Sequence, residues 1–291
     1  MLRILYNSQV AMNAQQDKLD TISNNIANQG TEGYKRTDVQ FSDLVYESLS
    51  KRGYPYNNNP QTTLQTGTGV RASSHLRDEH QGNLKETDSS TDLAIDGDGY
   101  FSVRMPDGTT AYTRDGSFNI DGSGNLVDKN GYFINIDFFK NDGNGNLIDQ
   151  NGNKTSSKVD NNGNILDANG KLTGINISNI KFSSDNFAVQ KDGTVILKGD
   201  NQNVAVGRIN LYTGISAGFS EIGNNLFVAK QGVQVQQAKD SDIIQGFLEG
   251  SNVDLGKEMT DLLITQRAFE LSSKGMKTAD DMWNMANNLK H

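Results

Sequence analysis

Apolar side chains recur at sevens near the start of this chain, at Leu5, Met12, Leu19 and Ile26, with Ile22 set between the last two. That spacing puts a narrow apolar stripe on one face of a helix. Residues 1–29 hold neither Gly nor Pro, and Gly30 and Gly33 then supply stop signals. The far end repeats the device. Ser251-Asn-Val-Asp254 is the kind of polar group that opens helices. A broader stripe follows at Leu255, Met259, Leu262, Leu263, Phe269, Met276, Ala279, Met282, Trp283, Ala286 and Leu289. Gly256 and Gly275 weaken that second helix by about 1 kcal/mol each relative to Ala, without abolishing it.

Between the ends the period changes. Residues 85–240 are dense in Gly, Asn and Asp, with short alternating runs such as Tyr100-Phe-Ser-Val-Arg, Val204-Ala-Val-Gly-Arg-Ile and Asn225-Leu-Phe-Val-Ala. Short strands with frequent turns predict an antiparallel all-β domain. One motif occurs three times, beginning at Asp121, Asp142 and Asp160. Each copy has a turn signal, a short apolar pair and an Asn-Gly signal, which is hairpin chemistry. These copies predict stacked hairpins extending one edge of the domain. Residues 50–70 have no useful period and read as an extended connector.

The expected fold is therefore α+β: paired N- and C-terminal α-helices, coiled-coil-like, plus a central antiparallel all-β domain. The boundaries expected are a helix over 1–34 pairing with 247–291, a linker over 35–84, and a β domain over 85–246 with a hairpin insertion near 136–172.

Composition mostly excludes. The chain has 291 residues, 34% of them apolar, with 30 Gly and no Cys. Disulfides, thiolate metal sites and cysteine nucleophiles are thereby removed. A net charge of −8 with no basic tract gives nucleic acid no electrostatic footprint. No segment approaches the ~20 apolar residues of a span, so no membrane insertion is expected. The N-terminus lacks the apolar stretch of a cleaved signal peptide.

Candidate chemistry is thin. His75, His80 and His291 show no metal-ligand spacing. The hairpin repeats carry closely spaced Asp and Asn, but counted as a calcium loop from Asp142, position 6 is Leu147 and position 12 is Asn153. Asp92, Asp96 and Asp98 cluster in an Asp-Gly-Asp-Gly turn with nothing else suggesting a glycosidase. No catalytic residue, cofactor, metal or small-molecule substrate is expected.

The stripes are the informative feature, because each helix alone is marginal. They can dock on the β domain, or pair with each other and with neighbouring copies. The second reading takes Leu5, Met12, Leu19, Ile22 and Ile26 to pack against Met259, Leu262, Phe269, Met276 and Trp283, within and between subunits.

Several motifs carry a resemblance. Ala11 to Lys35, with Asn25, Ala27, Asn28, Thr31, Gly33, Tyr34 and Lys35 at its core, resembles the N-terminal signature of flagellar rod and hook proteins. Leu93–Phe101 and Thr110–Phe118 resemble that family's central β motifs. Leu248–Asp254 and Thr265–Leu271 resemble its C-terminal helix. These fall in order and bracket nearly the whole chain, and within the family they look most like its distal rod members. Proximal rod and hook-type members remain alternatives, as does an adhesin-like surface module outside the family. The resemblance implies a subunit that polymerises with copies of itself, contacts neighbouring rod and hook proteins, and leaves the cell through the flagellar export apparatus. It also implies that the paired end helices line an axial tube in the basal body.

Overall fold

The computed structural model describes residues 2–48, 65–142, 144, 146–148, 154–160, 163–166, 172–176, 180–198, 203–214, 218–238 and 241–288. They divide into two compact units. One combines residues 1–29, 36–78 and 253–291; the other combines 30–35 with 79–252.

The first unit is built on helix α1 (Leu2–Ala27) and helix α2 (Leu255–Asn288). At 1.5 Å per residue they are about 39 and 51 Å long. Asn25 meets Glu258 and Ser8 meets Gly275, so the two run antiparallel. Asp254 caps α2: its Oδ1 accepts from the backbone N–H groups of Gly256 (2.9 Å) and Lys257 (3.2 Å). Leu289, the last position of the predicted stripe, lies outside the described residues.

A long two-stranded ribbon lies on α1. Strand Thr37–Asp43 pairs antiparallel with Val70–Arg77, and Tyr46–Ser48 continues the ladder against Gln65–Gly67. Val39 is buried, Lys18 sits over the Phe41 ring at 5.7 Å, and Gly69 approaches Val10. These strands fall within 35–84, where the sequence predicts an extended linker. Apolar residues alternate there only briefly, at Val39 and Phe41 on one strand and Val70, Ala72 and Leu76 on the other, on either side of a long stretch without period. Of the connector read over 50–70, residues 50–64 lie outside the described residues.

The second unit is antiparallel β throughout its described strands. Its largest sheet orders Phe219–Gly223, Leu226–Ala229, Thr110–Thr113, Tyr100–Arg104, Phe133–Ile134, Leu126–Val127 and Asn119–Ile120. Leu211–Thr213 joins it beside Tyr100–Arg104. Asn224 and Asn225 both take left-handed backbone angles (φ 54° and 56°) in the two-residue turn before Leu226, the geometry a tight hairpin needs. A four-stranded sheet runs Ile136–Phe138, Asn203–Ile209, Thr194–Lys198 and Phe187–Val189. Leu93, Ile95, Phe101, Val103, Phe118, Val195, Ile209 and Ile243 form the centre of one continuous core, with Phe101 and Phe118 edge to face at 5.3 Å.

The second and third hairpin repeats lie in a separate five-stranded sheet, Lys140–Asn141, Asn146–Ile148, Lys154–Val159, Asn164–Leu166 and Leu172–Asn176. The first repeat stays in the large sheet. In all three, the repeat's leading Asp accepts from the backbone N–H four residues on and from that Asn's side-chain amide: Asp121 with Asn125, Asp142 with Asn146, Asp160 with Asn164. The carboxylates are thus engaged in folding turns.

Candidate assembly interface

Each stretch of the chain near its two ends is anchored on a buried carboxylate. In the first unit Glu258, on the opening turn of α2, is wholly buried. Its Oε1 accepts from Arg36 Nε at 2.5 Å and its Oε2 from Asn25 Nδ2 at 3.1 Å. Asn25 also pairs with both backbone groups of Thr37, donating to its carbonyl at 2.8 Å and accepting its N–H at 3.0 Å. One side chain therefore ties the end of α1 to the first ribbon strand and to α2. Burial works against the charge on Arg36, but Glu258, Asp38 and Asp261 outweigh it and raise its pKa.

In the second unit Glu249 plays the same part. Lys35 Nζ donates to its Oε1 at 2.8 Å, and the backbone N–H of Gly82 donates to the same oxygen at 2.9 Å. Arg114 Nε donates to Oε2 at 2.5 Å, while the other guanidinium nitrogens reach the carbonyls of Gly97 and Gly99. Lys35 also donates to the carbonyls of His80 and Glu79. Burial lowers the Lys35 pKa against the opposing pull of Glu249. Gly33 gives its N–H to the Glu249 carbonyl at 2.8 Å, with φ +66° and a Cβ position 2.6 Å from the Arg114 backbone. Only Gly fits there.

The motif residues named from the sequence thus divide. Asn25, Gly33, Tyr34 and Lys35 are buried. Asn28 closes α1, its amide donating to the Asn24 carbonyl at 3.0 Å. Thr31 is half-buried and Ala27 exposed.

The stripe residues also divide. Ile22 is buried, while Leu5, Met12, Leu19, Ile26, Leu262, Phe269 and Met276 are half-buried. Met259 and Trp283 are 51% and 40% exposed. The wholly buried positions are instead Ala14, Ile22 and Asn25 on α1 and Glu258, Thr265 and Ala279 on α2, with Asn25 and Glu258 meeting across the pair. Periodicity scored on large apolar residues passes over such small and polar positions. On α2 the sevenfold spacing of Glu258, Thr265 and Ala279 was the available signal. On α2 a second set, Leu263, Ile264, Leu271, Met282 and Met285, also stands exposed. Ile264, Leu271 and Met285 share one heptad position, so they form a line along the helix.

Three family models match in chain order: the flagella basal body rod protein model over residues 5–35, the flagellar hook protein FlgE/F/G D1 domain over 94–138, and the flagellar basal body rod FlgEFG C-terminal model over 244–289. Paired end helices around a β-rich middle, matched at all three places, define the class of flagellar axial proteins. Full-length relatives narrow it. The chain is 34% identical to the flagellar basal-body rod protein FlgG of Buchnera aphidicola subsp. Acyrthosiphon pisum, over 97% of each chain. It is 33% identical to that of Borreliella burgdorferi over 100% of this chain and 99% of the other, and 34% identical to that of Caulobacter vibrioides over 99% and 100%. The chain belongs to the FlgG family of flagellar basal-body rod proteins. An adhesin-like surface module finds no support in these likenesses.

Proposed function

We propose that this chain is a structural subunit of the distal rod of the bacterial flagellar basal body, polymerising head-to-tail with copies of itself and carrying out no catalysis. The observation that carries the polymer is the exposed apolar line on α2. Leu263, Ile264, Leu271 and Met285 are 59–68% exposed on a helix whose buried side, at Glu258, Thr265 and Ala279, lies elsewhere around its axis. A row of large apolar side chains left in water marks an interaction surface. Repeated in every copy and meeting a different surface on the next, such a row generates an open helical polymer.

In that polymer Leu5, Met12, Leu19, Ile26, Met259 and Trp283 contribute their exposed edges to contacts between copies. The α1–α2 pairs line the channel through which later subunits pass, and the tube transmits torque to the neighbouring rod and hook proteins. Delivery uses the flagellar export apparatus without a cleaved signal.

An in-frame deletion followed by electron microscopy of isolated basal bodies tests this. Loss of hook and filament above a truncated rod, restored by a plasmid copy, is the expected outcome. Normal motile flagella in the deletion strain would overturn it.

A further inference from the structure

The wholly buried positions of α1 and α2 are mostly small or polar. Among the described residues of the two helices, Ile22 is the one large apolar side chain fully buried, beside Ala14, Thr265 and Ala279. Ser8 Oγ lies 3.5 Å from where a Cβ on Gly275 would be. Glu258, Thr265, Ser272 and Ala279 recur at intervals of seven. Sliding α2 by one heptad would exchange Thr265, Ser272 and Ala279 for one another, and the half-buried Leu262, Phe269 and Met276 likewise. In paired helices, distinct large knobs and holes normally exclude such slips, or a single buried polar residue does. Shape alone discriminates weakly here.

One place breaks the degeneracy. Asn25 spends both amide hydrogens and its oxygen on three partners, Thr37 O, Glu258 Oε2 and Thr37 N. Arg36 takes the other Glu258 oxygen, with Asp38 at 3.6 Å and Asp261 at 3.8 Å around it. A slide of seven residues in either direction takes Glu258 away from Asn25 and Arg36. In one direction Thr265, with no carboxylate, comes to stand opposite Asn25. In the other, the chain preceding the helix does. Either way the buried amide loses one of its three partners and the guanidinium its closest carboxylate, keeping Asp38 on its own strand, and a buried charge stripped of its nearest partner is disfavoured.

We infer that Asn25, Arg36 and Glu258 form a register lock, which fixes the turn of α2 that lies against α1. The helix pair derives its specificity from this triad and its burial energy from elsewhere along the seam. Asn25, a residue of the family-like N-terminal motif, thereby acts as a positioning residue inside the subunit. The inference concerns a single chain and stands apart from the polymer.

The chain has no Cys of its own, so an introduced pair reports only itself. Three double variants of the full-length chain, S8C/G275C in register and S8C/A268C and S8C/M282C one heptad to either side, are oxidised gently, and the intrachain disulfide is quantified on non-reducing gels. With the lock intact, the in-register pair forms in excess of each slipped pair by roughly ten-fold or more, the ratio that one or two buried hydrogen bonds confer. Adding Asn25→Leu with Glu258→Leu brings the ratio towards one while circular dichroism still reports helix. Glu258→Gln, which keeps an acceptor but not the charge, gives an intermediate ratio and serves if the double variant does not fold. No excess in the otherwise native chain overturns the lock, as does a ratio that neither set of substitutions moves. A failure of polymerisation leaves the ratio untouched, so the two proposals fail separately.

Discussion

Lys35 and Glu249, 214 positions apart in sequence, meet through a 2.8 Å ion pair with both side chains almost wholly out of solvent. Such a pair is weak evidence for net stabilisation, because desolvating two charges cancels much of their attraction. Its consequence is asymmetric. With Arg114 on the other carboxylate oxygen, two cations depend on one acid.

Removing that acid should be severe. Glu249→Ala leaves Lys35 and Arg114 buried without their counter-charge, and a loss of about 3–5 kcal/mol in the unfolding free energy is expected. Denaturant unfolding, followed by the fluorescence of tyrosines in the β unit, measures it. A loss below about 1 kcal/mol would mean that the cluster relaxes into water.

Gly33→Ala addresses the same anchor through the backbone. A left-handed φ costs an L-residue roughly 1–2 kcal/mol, and here the added Cβ also meets Arg114 backbone atoms at 2.6 Å. The expected destabilisation therefore exceeds the conformational figure alone. An unfolding midpoint equal to that of the native chain would contradict so close an approach of the two segments.

Leu271→Asp should separate folding from assembly. The side chain is 68% exposed, so the subunit's stability should change by no more than about 0.5 kcal/mol. Polymerisation, read by sedimentation and by electron microscopy of basal bodies, should fail. Native-like rods carrying Leu271→Asp and Ile264→Asp together would remove this face from the assembly surface.

A pH dependence is expected at Glu32 and Lys129. The hydrogen bond from Lys129 holds the Glu32 carboxyl below its ordinary value of 4.5. A depressed acid contributes stability that is present above the unfolded pKa and lost as pH falls through the folded one. The pair is half-exposed, so the effect is about 0.2–1 kcal/mol and shrinks in salt. Lys129→Gln should return the Glu32 titration, followed by carboxyl NMR, to the ordinary range. An unmoved titration would assign the shift elsewhere.

Local physics was legible in the sequence. The absence of Gly and Pro over residues 1–29, the Asp254 cap and the sevenfold stripes announced α1 and α2, and the Asp-Asn-Gly punctuation announced hairpins; both depend on neighbours a few positions away. The ribbon over Thr37–Asp43 and Val70–Arg77 was not legible, because its alternating apolar residues are few, its two strands lie far apart in the chain and part of its apolar contact is supplied by α1. Nor did the stripe reveal the seam. Leu19 and Met276 are only half-buried, whereas Ala14, Thr265 and Ala279 are wholly buried.

By itself the sequence determined two amphipathic end helices, an antiparallel β middle and turns closed by Asp and Asn, since each follows from period and short-range hydrogen bonding. Tertiary structure alone decided that Lys35 answers Glu249 and that Arg36 and Asn25 answer Glu258. A buried charge is tolerable only where a distant partner arrives to satisfy it, and no local pattern encodes which of the chain's 35 acidic residues that partner will be.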